Sequence, residues 1–151
     1  MKLKNILSIA VMATLLVACK HLDVPSDAQM ESRLPKIYPD YTEVMVPANI
    51  CPMNFAVQEG ESETIARLTS PGGTYIYGDN QKVLIDETEW TDMLKSAKGK
   101  EIKVEVFAKI GDKWKAYQPF NIYVAEDSID EYISYRAIQP SYVAYEKLSI
   151  N

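Results

Sequence analysis

The stretch YPDYTEVMVPANICPMNFAV, Tyr38–Val57, constrains this chain most. Thr42–Val46 is rich in β-branched residues, which fit a pleated, half-buried surface. Pro47-Ala48-Asn49 then breaks the run, because proline donates no hydrogen bond to a ladder and is tolerated at edges and corners. Met53, Phe55 and Val57 fall on one face, with Asn54 and Ala56 on the other. That is the period of two of a half-buried strand. Such a strand has to bury its apolar face against another layer.

The residues that follow supply the layer. Glu59–Glu63 reads as a turn and Ile65–Thr69 as a strand. Ser70-Pro71-Gly72-Gly73 is a strong turn signal. Thr74–Tyr77 is a short aromatic strand, Gly78-Asp79-Asn80 turns back, and Lys82–Ile85 is extended. Residues 59–85 thus read as a meander. One helix, about 87–98, interrupts the pattern. Asp86 and Glu89 form a capping-box pair. Trp90, Met93, Leu94 and Ala97 make one apolar stripe that suits docking on a sheet, and Gly99 supplies the left-handed stop. Glu101–Lys109 is the clearest strand, with Ile102, Val104, Val106 and Ala108 inward and Phe107 among the outward residues. Gly111-Asp112-Lys113 closes a hairpin onto Trp114–Tyr117, with its register left open. Phe120–Val124 alternates again and is expected to pair with the Glu101 strand or its hairpin partner. About seven short strands with turns every 8–12 residues predict a mainly all-β fold. The expected fold is an immunoglobulin-like β-sandwich over residues 38–126 with one inserted α-helix. The Cys–Trp–Cys pattern of antibody domains is absent.

The N-terminus has a different purpose. Lys2 and Lys4 precede a short apolar run, Ile6–Val17, too short to span a bilayer. Small residues follow, so residues 1–18 read as a signal peptide. Leu16-Val17-Ala18-Cys19 resembles the lipobox of bacterial lipoproteins, which implies lipidation of Cys19 and a membrane partner reached through that lipid anchor. The alternative is an ordinary signal peptide with a fortuitous cysteine. Lys20 stands where an Asp would resemble inner-membrane retention, and no acidic run follows Cys19. The expected location is therefore the outer membrane, facing the periplasm. Residues 19–37 are polar, with Pro25 and Pro35, and predict a flexible tether. With Cys19 lipidated, Cys51 lacks an intrachain partner and is expected to be a buried free thiol.

Residues 127–151 form a tyrosine-rich arm carrying Tyr132, Tyr135, Tyr142 and Tyr145, a docking arm for this domain or a neighbour. A string of residues runs through the domain and into this arm: Tyr38-Pro39-Asp40-Tyr41, Val46–Phe55, Val104-Glu105-Val106-Phe107, Trp114-Lys115, Tyr117 and Pro119-Phe120. With Ile133-Ser134-Tyr135-Arg136, Pro140 and Tyr142, these residues resemble the opening domain of TolB-like or PD40 propeller envelope lipoproteins, sometimes labelled cytochrome c biosynthesis proteins. The resemblance runs from about Tyr38 onward. It implies a C-terminal propeller domain as neighbour, absent from this sequence. Relatives with haem carry Cys-x-x-Cys-His; this sequence has no Cys-x-x-Cys, so no cofactor is expected.

Catalytic constellations are missing from the sequence. His21, the only histidine, lies two residues past Cys19, a poor place for a general base or a metal ligand. Ser70–Gly73 lacks the lysine and spacing of a phosphate loop. Glu59, Glu61, Glu63, Asp86, Glu87 and Glu89 read as solvated acidic turns, and carboxylate-based hydrolysis is the weakest alternative. The net charge is −5, and loss of Lys2 and Lys4 with the signal makes it −7, which disfavours nucleic acid. Tyr75, Tyr77, Tyr117 and Tyr123 alternate on short strands and form a candidate binding surface for a glycan or a partner strand. The expected function is a non-catalytic interaction or spacer module; the alternative is a stand-alone glycan-binding lipoprotein.

Overall fold

The computed structural model describes residues 22–59, 63–130, 132–137 and 149–150. Its central strand is β8, Glu101–Ile110. Ile102, Val104, Val106 and Ala108 point inward and are at most 1% exposed. On one edge, β8 pairs antiparallel with β5, Glu63–Ser70, which carries β6, Gly73–Asp79, as the outermost strand. The other edge is shared. β9, Lys113–Ala116, covers residues 107–110, and β10, Phe120–Val124, covers residues 101–104. Tyr117-Gln118-Pro119 between them places three residues opposite Glu105 and Val106, a bulge that bends the strand. The β8–β9 turn is the two-residue Gly111-Asp112. Gly111 alone of the two has positive φ, 60°, as a II′ hairpin needs.

Two short strands close this seven-stranded sheet by parallel pairing: β1, Gln29–Met30, on β9, and β3, Val44–Val46, on β10. The second sheet is β2, Ile37–Tyr38, then β4, Phe55–Val57, then β7, Lys82–Val83. β2-β4-β7 answers to strands A-B-E of an immunoglobulin domain, and β6-β5-β8-β10 to C′-C-F-G. The fold is a mainly β, immunoglobulin-like sandwich with one helix. Most of its strands are very short, so the described residues hold twelve rather than about seven. β7 also corrects the expected meander: it leaves β6 and joins β4 in the other sheet.

The helix α1, Glu87–Ser96, takes the E–F crossing. The Asp86 carboxylate accepts from the Thr88 and Glu89 amides at 2.9 and 3.0 Å, satisfying two orphan donors of the first turn. The Glu89 carboxylate does not reach back to complete a capping box; it accepts from the Tyr77 hydroxyl at 2.7 Å. Trp90, Met93, Leu94 and Ala97 are all buried, and the Trp90 indole donates to the Ile50 carbonyl at 3.0 Å. They share one core with Phe55, Val57 and Val83 of the small sheet and Leu68, Phe120 and Ile122 of the large one. Burying a side chain of this size is worth about 1.5–3 kcal/mol.

From Leu22 onward the expected tether is part of the sandwich. Residues 22–28 run over the outer face of the large sheet, where Leu22, Val24 and Ala28 pack with Ile76 and Trp114 on Ile65, Phe107 and Ala116. Phe107 does face outward, yet it is only 7% exposed because this strap covers it. β1 and β2 then stitch the chain to both sheets. The physical reason is the apolar patch itself, which would otherwise stand in water.

Candidate functional site

The outer face of the large sheet divides into two zones. Its strap-covered zone is apolar. The zone toward the start of β8 is polar: Arg67 Nε contacts Glu105 Oε2 at 2.7 Å, and Lys103 Nζ contacts Glu105 Oε1 at 3.3 Å. The Arg67 guanidinium, ahead of the opposing effect of burial, holds the Glu105 carboxyl below its usual range.

Beside this zone lies an open groove of about 1030 Å³. The β5–β6 turn, the start of β8, the end of β10 and strand β3 form it, through Ser70, Pro71, Lys100, Glu101, Tyr123 and Met45. Local sequence explains each wall. Gly72 lets the β5–β6 turn approach α1; an added Cβ would lie 2.8 Å from Ser96 Cβ. Ser96 Oγ and Ser70 Oγ are 3.2 Å apart. Gly99, at φ 70°, ends the helix turn, and its amide donates to the Val124 carbonyl at 2.9 Å. The Val124 amide donates to the Lys100 carbonyl at 2.8 Å, which completes the floor.

Glu43 sets the position of the aromatic ring in the groove. It sits at φ 55°, an uncommon left-handed conformation for a residue with a Cβ. Its carboxylate accepts from the Asn121 amide and the Tyr123 hydroxyl, both at 2.8 Å. That bond raises the Tyr123 pKa. The exposed Met45 stands opposite Tyr123 in the β3–β10 register. Two lysines, Lys100 and Lys103, and three carboxylates, Glu101, Glu126 and Asp127, line the groove. Its field therefore favours neither polyanions nor polycations. The arrangement suits a polar ligand of low net charge resting on Tyr123 and Met45. Among the described residues no group of three or more His, Cys, Asp or Glu converges to hold a metal ion.

Of the four tyrosines expected on a binding surface, only Tyr123 reaches the groove. Tyr75 packs on the core edge, and Tyr77 and Tyr117 are buried. Tyr77 finds Glu89 for its hydroxyl, and burial followed by that hydrogen bond raises its pKa. Tyr117 is 2% exposed, and its hydroxyl lacks a hydrogen-bond partner among the described residues. Burial, and then the Glu59 charge, push it up to about 12. Residue period cannot separate these four, because strand β6 turns its Tyr75–Tyr77 face inward and the bulge turns Tyr117 inward. Cys51 is exposed, not buried, since the chain beside Pro52 runs outside the sandwich until Met53 enters it.

Tyr132 and Tyr135 of the expected arm are 87% and 59% exposed. Tyr142, Tyr145 and Cys19 lie outside the described residues. The arm leaves the groove end along a fixed path. The Asn49 side chain donates to the Ile129 carbonyl and accepts from the Ile129 amide, both at 2.9 Å, and the Ala48 amide donates to the Asp127 carbonyl at 3.2 Å. Sequence reasoning missed Asn49 as an anchor, because it reads as one more turn residue after Pro47. Arg136–Ala137 pairs antiparallel with Ser149–Ile150. Comparison with family models, with curated proteins and with solved structures gives no match.

Proposed function

We propose that this chain is a lipid-anchored bacterial envelope lipoprotein of the outer membrane, facing the periplasm. Its sandwich is a non-catalytic interaction and spacer module, related to the opening domain of propeller lipoproteins. The observation that carries the reading is Leu16-Val17-Ala18-Cys19 after a basic, apolar leader, with the sandwich beginning at Leu22. Two acyl chains or more hold a protein stably, at about 0.8 kcal/mol per buried methylene. The test is metabolic labelling with an alkyne fatty acid in the protein's own cells. The parent should carry the label and float with outer-membrane vesicles; Cys19→Ser should lose both. Label that survives Cys19→Ser would overturn the reading. An immunoblot on the same cells separates a small lipoprotein from one domain of a propeller protein: the first runs near or just below 17.1 kDa, the second several times heavier.

A second reading, glycan binding, draws on the groove: one oriented aromatic ring bordered by carboxylates and lysines. Calorimetric titration with envelope and dietary polysaccharides tests it. Heat that Tyr123→Ala abolishes supports the reading, and silence across the panel removes it.

A further inference from the structure

We infer that the sandwich is held against the phospholipid headgroups by its β6–β7 end, in one orientation, with the groove and the C-terminal arm facing away. This rests on the lipoprotein reading of Cys19. The argument is one of reach. Three peptide steps separate Cys19 from Leu22, and an extended chain covers at most about 3.3–3.6 Å per residue, so Leu22 lies within about 10 Å of the lipidated residue. That bound holds whatever conformation Lys20 and His21 adopt. A flexible tether over the whole of residues 19–37 would span about 23 Å and impose no orientation.

Leu22 is itself fixed to the body. It packs in the small cluster of Ile65 and Phe107, and it lies over Gly78, where an added Cβ would overlap its Cδ2 atom. The anchor therefore leaves the molecule beside β6 at the level of Gly78. In the register, Gly78 pairs with Ile65 and Ile65 with Phe107. The groove begins at Gly99–Glu101. From residue 101 to 107 a strand rises about 20 Å, which places the groove at the far end. The turn next to Gly78 carries Asp79, Asn80, Gln81 and Lys82, all exposed and polar. Such a surface suits contact with hydrated headgroups, not insertion among acyl chains.

The test uses the full lipoprotein purified from its own membranes. It is reconstituted in phosphatidylethanolamine–phosphatidylglycerol vesicles that carry a short-range quencher on the headgroups. Cys51→Ser removes the exposed thiol, and a fluorophore is placed through Asn80→Cys or, at the groove end, Lys98→Cys. Strong quenching at position 80 and little at position 98 is expected. Inserting about twelve Gly and Ser residues between His21 and Leu22, roughly 19 Å of added reach, should erase the difference. Equal quenching at both positions, or quenching at neither while the protein floats with the vesicles, would overturn the inference. Protein that does not float and lacks the lipid mass would overturn the lipoprotein reading itself, a distinct result.

Discussion

Glu59 fastens the strap side of the molecule to the body, and its removal can be predicted in some detail. The Arg33 guanidinium donates to both Glu59 oxygens, at 2.7 and 2.6 Å, and the Lys36 amide adds a third bond at 2.8 Å. Arg33 also lies 4.9 Å from the centre of the Tyr117 ring. The Glu59 side chain is 6% exposed, whereas that of Arg33 is 45% exposed. Breaking a fully buried pair costs about 3–5 kcal/mol, but half-exposed Arg33 regains water, so Glu59→Ala should cost about 1–3 kcal/mol. Glu59→Gln keeps the shape and one acceptor and should cost about 1 kcal/mol. Urea unfolding followed by tryptophan fluorescence measures both. Trp114 borders the strap cluster and Trp90 sits in the main core, so a strap that loosens first would show as two transitions.

The pH dependence follows from the same contacts. The Arg33 hydrogen bonds hold the Glu59 carboxyl below its ordinary value of 4.5, against the opposing effect of burial. A depressed carboxyl contributes stability that is complete above the unfolded value and is lost as pH falls through the folded one. The difference between the parent and Glu59→Gln should therefore be constant from pH 7 to about 5 and shrink below pH 4.5. A Glu59→Ala protein within about 0.5 kcal/mol of the parent at pH 7 would refute the reasoning. So would a parent-to-Gln difference that persists undiminished in acid.

Three other perturbations probe separate parts. Phe107→Ala removes the ring beneath the strap; we expect a loss of about 2–4 kcal/mol and faster proteolysis between Leu22 and Ala28, read by timed digestion. Asp86→Ala strips two amides of α1 of their acceptor and should cost about 1 kcal/mol in urea, with Asp86→Asn recovering most of it. Asn49→Ala frees the Ile129 backbone; global stability should change by less than about 1 kcal/mol, while hydrogen exchange at the Ile129 amide rises strongly.

What the sequence disclosed depended on whether the determining contacts were local. The inward set of β8 was legible because strand period alone specifies it, and the α1 stripe because helix period does. The allocation of strands to sheets was not. Lys82–Val83 leaves its neighbour β6 for β4, some 26 residues upstream, and no local pattern encodes that choice. The binding-surface tyrosines failed for a related reason. Tyr77 can be buried because Glu89, on another element, meets its hydroxyl. The strap was hidden by its composition: Leu22, Val24 and Ala28 stand among Asp23, Pro25, Ser26 and Asp27, too few apolar residues to announce a buried segment. One signal did exist. Phe107 on a face otherwise occupied by Glu101, Lys103, Glu105 and Lys109, with Ile65 opposite it, was an apolar patch in need of a cover.

The two chain directions leave the sandwich at different ends, and this bears on what a module of this kind can transmit. The N-terminal strap is fixed at the level of Phe107 by apolar packing, while the C-terminal path is fixed near Gly99, where an added Cβ would lie 3.2 Å from the Glu126 side chain. Between them runs β8, bonded along its length to β5 on one side and to β9 and β10 on the other. A pull between the two attachment points is therefore borne mainly as shear across antiparallel ladders, where many hydrogen bonds have to yield together, instead of being unzipped one bond at a time. Tyr132, Ile133 and Tyr135, at 87%, 82% and 59% exposure, follow directly after the Asn49–Ile129 clasp. Such a layout fits the spacer role proposed above, in which the exposed Tyr132–Tyr135 segment would be held at a set distance from the proposed lipid anchor. It also explains the apolar residues of the strap: polar side chains in place of Leu22, Val24 and Ala28 would leave the Phe107 patch wet and the N-terminal segment free to wander.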